Sequence, residues 1–187
     1  DTIFASSSQF KSAIKIIRIS GNKAKIIPNI FNFKRPKPRT FVLRKLIHKN
    51  NIIDNAPVVW LPRKKSFTGE DTFEIYIHGS IVIEKLIFKI LSSHNHFRSA
   101  EPGEFTKRAT LNGNIDLVQA ESINEIINAQ TEKQLSIAHA QLDGSLSNVV
   151  NSWRKEIIYI SSLIESLIDF SDEDIPEELS NLFLKRL

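Results

Sequence analysis

The seven residues from Thr72 to His78 alternate so regularly that they specify a strand: Phe73, Ile75 and Ile77 fall on one side, Glu74, Tyr76 and His78 on the other. A polar turn, Ser66-Phe-Thr-Gly-Glu-Asp71, feeds this strand, and Gly79 ends it. Beyond Gly79, residues Ile83, Leu86, Ile87, Ile90 and Leu91 recur at helical spacing, with Glu84, Lys85 and Lys89 outside that stripe. A strand dry on one side and polar on the other, followed by an amphipathic helix, requires a sheet with helices docked on its apolar face. Two readings of the polar side stay open. It is the wet side of an antiparallel strand, or it is a pocket wall offering a carboxylate, a phenol and an imidazole.

The preceding residues supply partners for that strand. Asp1 to Ala5 reads as a short strand, Ser6 to Ser8 as a turn, and Ala13 to Ile19 as a β-branched strand closed by Ser20-Gly21. Arg18 shares a side with Ile14 and Ile16, so its guanidinium needs an anionic or carbonyl partner. Glu74 is one candidate, and a ligand facing both residues is another. Asn22 to Asn32 is helical in part, with Pro28 expected to interrupt it. Lys34-Arg-Pro-Lys-Pro-Arg39 is an extended basic connection, open to a plain exposed turn or to nucleic-acid contact. Phe41 to Ile47 and Pro57 to Leu61 are further strand candidates around a polar turn, His48 to Asn51. The stretch from Arg98 to Ile115 shows one turn signal, Asn112-Gly113, and no element is assigned to it.

From Asp116 the pattern turns helical. Asp116 with Gln119, and again Thr131 with Gln134, have the spacing of capping boxes, with Ile115 placed to staple against Ala120. Gly144 is the expected weak point. Ile157, Ile160, Ile164, Leu167 and Ile168 form a stripe that needs a partner surface, and Asp172 to Pro176 ends the pattern acidically. That acidic run lacks the glycine and distal glutamate of a calcium loop. The expected architecture is therefore α+β: a mixed β-sheet with packed helices over residues 1–115, then an all-α segment over residues 116–187. The last apolar pattern is interrupted at Leu187, so a fragment of a longer protein is expected.

Composition removes several chemistries. The 187 residues include no cysteine, which excludes disulfides, thiolate zinc sites and cysteine nucleophiles. No apolar run reaches membrane-spanning length, and Asp1-Thr-Ile-Phe4 is unlike a signal peptide, so a soluble, cytoplasmic protein without membrane contact is expected. The net charge of +4 is unevenly spread: residues 1–65 hold 15 Lys and Arg against 2 Asp and Glu, and residues 66–187 hold 10 against 19. The basic part is a candidate surface for phosphates or polyglutamates. His94 and His96 lack further ligands nearby, so no metal site is expected. No Ser, His and Asp spacing suggests a triad, so no catalytic residue is assigned.

In order along the chain, Arg18-Ile-Ser-Gly21, Ser66-Phe-Thr-Gly-Glu-Asp71, His78-Gly79, Glu101-Pro-Gly-Glu-Phe-Thr106, Leu111-Asn-Gly113, Asp116-Leu117, Gln119-Ala-Glu121 and Ile168-Asp-Phe170 together resemble the tRNA-modification GTPase family MnmE, also called TrmE. The resemblance implies an N-terminal folate-binding and dimerisation domain followed by the first part of a helical domain. It implies work with an MnmG-type FAD protein on the wobble uridine (position 34) of tRNA, using a one-carbon unit from 5-formyl- or methylene-tetrahydrofolate. The family's folate contacts fall on Arg18, Glu74 and Asn114, the last where the family usually has lysine. Ser80 replaces a usual second glycine, and Ser6 to Phe10 replace usual glycines. GTP, Mg and K are expected only in a GTPase domain, because the chain has no Gly-x-x-x-x-Gly-Lys-Ser/Thr loop. Two other functions remain alternatives: a folate-dependent aminomethyltransferase-like protein, and a basic RNA-binding or structural dimerisation module.

Overall fold

A computed structural model describes residues 1–7 and 12–169. The chain divides into two compact units, Asp1–Ile115 and Asp116–Leu187. The first holds strands β1 (Thr2–Ser6), β2 (Ile14–Gly21), β3 (Val42–His48), β4 (Asn51–Leu61), β5 (Thr72–His78) and β6 (Phe97–Ser99). With them are helices α1 (Ile27–Ile30), α2 (Ile81–Ser92) and α3 (Glu104–Leu111). The strands form one mixed sheet in the order β3-β4-β5-β2-β1-β6, parallel between β1 and β6 and antiparallel elsewhere. This is the α+β architecture that the alternation at Thr72–His78 demanded.

The register of β2 against β5 fixes what lies on each face. Ile17 faces Ile75 and Ile19 faces Phe73, all four fully buried, while Arg18 lies opposite Glu74 on the reverse side. The dry face joins Phe4, Ile27, Phe31, Ile77, Ile87 and Leu91 in one core. Each such side chain contributes about 1.5–3 kcal/mol when taken from water. Ser80 caps α2 by accepting from the Val82 N–H, and Ile87, Ile90 and Leu91 are buried while Leu86 is exposed. The inward stripe is thus narrower than its periodicity implied.

Four local expectations change. Pro28 does not interrupt a helix: a 3₁₀ turn at Ala24–Ile26 runs into α1, and Pro28 sits in its first turn, where its missing N–H breaks no helical bond. Strand β4 starts at Asn51, six residues before Pro57, because Lys49 and Asn50 form a tight turn with φ of 47° and 66°. Pro57 is tolerated inside β4, paired with Leu43. The unassigned stretch after Arg98 contains both most of β6 and α3.

The second unit is helical: α4 (Leu117–Asn128), α5 (Glu132–Leu142) and α6 (Ser145–Asp169). Both capping boxes form as their spacing required. Gly144, at φ 91°, separates α5 from α6, since that backbone conformation strains any other residue. Trp153, Ile157, Ile164 and Ile168 are exposed along α6. The expected acidic helix end at Asp172–Pro176, the interrupted pattern at Leu187 and the side chain of Leu167 lie outside the described residues. Among the described residues no helix is long and apolar enough to cross a membrane.

At the end of β5 the backbone of Gly79 lies against the chain at Ser12 and Ala13. Its N–H donates to the Ala13 carbonyl at 2.8 Å, and a Cβ on Gly79 would lie 1.6 Å from the Ser12 carbonyl oxygen. Gly79→Ala is therefore expected to destabilise the chain by about 2 kcal/mol or more, read as a lowered urea midpoint.

Candidate functional site

On the polar side of the sheet, the β2–β5 register sets Arg18 directly across from Glu74. The Arg18 Nε donates to Glu74 Oε1 at 2.7 Å, and the Tyr76 hydroxyl donates to Glu74 Oε2 at 2.9 Å. Glu74 is 9% exposed although it faces away from the core. Burial, and then the Glu74 carboxylate, push the Tyr76 phenol above its ordinary pKa, so it stays a neutral donor. An ionised carboxylate offers about four lone-pair positions. Glu74 uses one on each oxygen for these two bonds.

Two aromatic rings flank these groups. The Arg18 guanidinium carbon lies 5.8 Å from the ring centroid of Phe105, on α3. Phe41 meets Tyr76 edge-on at 4.8 Å. Neither phenylalanine stands out by its own position in the sequence, because Phe105 belongs to a helix with few apolar residues and Phe41 precedes its strand.

A polar framework holds the turn before β5 and the helix after β6. Ser20 Oγ lies 2.6 Å from Thr68 Oγ1 and donates to Glu70 at 2.9 Å, and Arg108 bonds Glu70 at 3.1 Å. Asn112 Nδ2 donates to the Thr68 carbonyl at 2.7 Å. Asn114 Nδ2 donates to the Ser66 and Phe67 carbonyls, each at 3.0 Å, so this third candidate acts as a clasp on the turn. Glu104 is buried under Arg98 and Arg108. The Arg98 hydrogen bond, aided by the Glu101 N–H and Arg108 against the opposing effect of burial, lowers its carboxyl pKa to about 2. The opposite charges of Glu104 and Arg108, four residues apart, are the signal in the sequence that could have marked α3.

The third member of the expected polar wall bonds elsewhere. His78 Nδ1 lies 2.7 Å from Asp54 Oδ1 on β4, and the His78 N–H donates to Asp54 Oδ2 at 2.9 Å. The basic stretch also has internal work: Arg35 reaches the Lys25 carbonyl and covers Trp60, Arg39 reaches the Lys65 carbonyl, and Arg44 the Lys34 carbonyl. Among the described residues no group of three or more His, Cys, Asp or Glu is placed to hold a metal ion.

Comparison with known proteins joins this arrangement to a family. A family model described as the GTP-binding protein TrmE N-terminus matches residues 2–114, and one described as the MnmE helical domain matches residues 117–187. The chain belongs to the MnmE family. It is 45% identical over 186 residues to the tRNA modification GTPase MnmE of Rickettsia bellii (strain OSU 85-389), covering 96% of the chain and 41% of that relative. Identity is 44% over 185 residues to the protein of the same name from Rickettsia prowazekii (strain Madrid E), covering 97% of the chain and 42% of the relative. It is 44% over 190 residues to that of Bradyrhizobium sp. (strain ORS 278), covering 100% and 43%. The chain thus spans about two fifths of the length of the curated relatives it matches. Its N-terminal unit corresponds to the TrmE N-terminal model and its helical unit to the MnmE helical model.

Within this MnmE-family chain, Glu104 makes a stability prediction. Its folded pKa, about 2, lies below the ordinary 4.5. The stabilisation is therefore fully present above pH 4.5 and lost as the pH falls through about 2, amounting to at most about 3 kcal/mol. Urea unfolding of wild type and Glu104→Gln is expected to show a stability gap at pH 7 that closes toward pH 2.

Proposed function

We propose that this chain is the N-terminal part of a tRNA-modification GTPase and that its Asp1–Ile115 unit binds a tetrahydrofolate one-carbon donor. The supporting observation is the cross-strand pair of Arg18 and Glu74, with Tyr76 bonding the second carboxylate oxygen. Glu74 accepts the paired N–H groups of the aminopyrimidine edge of the pterin, and Arg18 meets a carbonyl or anionic edge. Asn114 contributes from the chain just after α3, beside the Ser66–Asp71 turn. An amide there keeps two hydrogen bonds to that turn but lacks the charge to pair with a folate carboxylate. The donor is 5-formyl- or methylene-tetrahydrofolate.

In the whole protein, this unit holds the donor and forms a homodimer, while an FAD protein of the MnmG type acts with it on the wobble uridine of tRNA in the cytoplasm. GTP hydrolysis requires a phosphate-binding loop that these 187 residues do not contain. That activity, with its Mg and K, belongs to the part of the relatives' length that the chain does not span. A folate-dependent aminomethyltransferase-like protein shares the binding step but requires an acid or base from another chain. For the basic RNA-binding alternative, Arg35 and Arg39 bond neutral backbone carbonyls and keep their charge, beside Lys34 and Lys37 in the same stretch.

Calorimetric titration with 5-formyltetrahydrofolate tests the reading. The wild-type chain is expected to bind, with Arg18→Ala and Glu74→Gln each weakening affinity by about tenfold or more, roughly 1.4 kcal/mol. A folded wild type that does not bind folate would overturn it. Steeply salt-dependent tRNA binding, abolished by neutralising Lys34, Arg35, Lys37 and Arg39, would favour the RNA-binding alternative.

A further inference from the structure

Phe105 is half-buried, yet among the described residues it is neither in the hydrophobic core nor among the side chains packed against it. It covers the Arg18 guanidinium instead. Its helix is not docked by an apolar stripe either, since the buried residues of α3 are Glu104 and Ala109. Ion pairs hold α3 at its first turn, where Glu104 meets Arg98 and Arg108, and hydrogen bonds from Asn112 and Asn114 hold the chain just beyond it to the turn before β5. Phe41 is 58% exposed and touches Tyr76. Two aromatic side chains outside the core thus contact Arg18 and Tyr76, the two residues that bond the Glu74 carboxylate.

We propose that Phe105 is the stacking plate for the planar ring bound at Glu74, that Phe41 closes the opposite side, and that Glu104, through Arg98 and Arg108, is the positioning residue that sets Phe105 beside Arg18. This rests on the folate reading and adds the residues that select a flat heterocycle. The pyrimidine ring of a tetrahydropterin is planar, and it gains by lying against an aromatic face while its N–H edge meets Glu74. Phe105 is a contact residue; Glu104 acts through it.

The test titrates the 187-residue chain with 5-formyltetrahydrofolate and with 5-formyltetrahydropterin, which lacks the benzoylglutamate tail, after circular dichroism has matched each variant to wild type. Phe105→Ala is expected to weaken both ligands by about tenfold, Phe105→Leu to fall between, and Phe105→Tyr to restore affinity. The ultraviolet difference spectrum of the bound pterin is expected to shift in wild type and Phe105→Tyr, and to lose that shift in Phe105→Leu at saturation. Glu104→Gln is expected to weaken binding in the wild-type background and to add nothing on Phe105→Ala. If wild type and Phe105→Ala bind folate equally well, the stacking proposal falls while the folate reading stands. If wild type binds neither ligand, both fall. If only the tail-bearing ligand responds to Phe105→Ala, the plate serves the tail and this proposal fails.

Discussion

The antiparallel pairing of β2 with β5 is the constraint on which the rest of the N-terminal unit depends. One register buries Ile17 against Ile75 and Ile19 against Phe73, and the same register sets Arg18 opposite Glu74 on the reverse face. A slip of one residue would send the charged pair into the core and the isoleucines into water. Hydrophobic burial on one side therefore positions the polar chemistry on the other. The close approach of Gly79 to Ser12 and Ala13 ties the end of β5 to the entrance of β2, which leaves the register little freedom.

The two faces are held by different physics. Side chains from β1, β2, β4, β5, α1 and α2 exclude water from the dry face, and the polar edge is organised by directional contacts: Glu104 with two arginines, and two asparagine amides on turn carbonyls. Buried ion pairs give little net stability over an apolar substitute, but removing one partner is costly because the other remains desolvated. Such contacts fix geometry. This explains why α3, with almost no apolar inward face, is nevertheless held where Phe105 covers Arg18.

The elements that the sequence disclosed are those whose signal is periodic or chemically local. Thr72–His78 alternates at period two, α2 repeats its apolar residues at helical spacing, and the boxes at Asp116/Gln119 and Thr131/Gln134 are satisfied within four residues. Alternation placed Glu74 on the polar side of its strand and Arg18 on a side shared with Ile14 and Ile16, and their pairing was one of the open readings because it needs only adjacent strands. Missed elements draw their stability from residues far away in the chain. Strand β6 is three residues beside β1, α3 is fastened by Arg98 and by the turn before β5, and the length of β4 follows from a turn whose two central residues are not glycine.

By itself, then, the sequence determined the α+β class, the core-facing side of β5, the helical character of residues 116–169 and the family motifs, because each depends on spacing within a short window. Only the tertiary structure decided that His78 turns to Asp54 instead of joining Glu74 and Tyr76, that Asn114 clasps the Ser66–Asp71 turn, and that Phe105 and Phe41 border the Arg18–Glu74 pair. These contacts join residues that are between 24 and 87 positions apart for His78, Asn114 and Phe105, and 35 for Phe41 with Tyr76. No local propensity encodes such neighbours; they exist because the sheet order brings separate strands and α3 to one place.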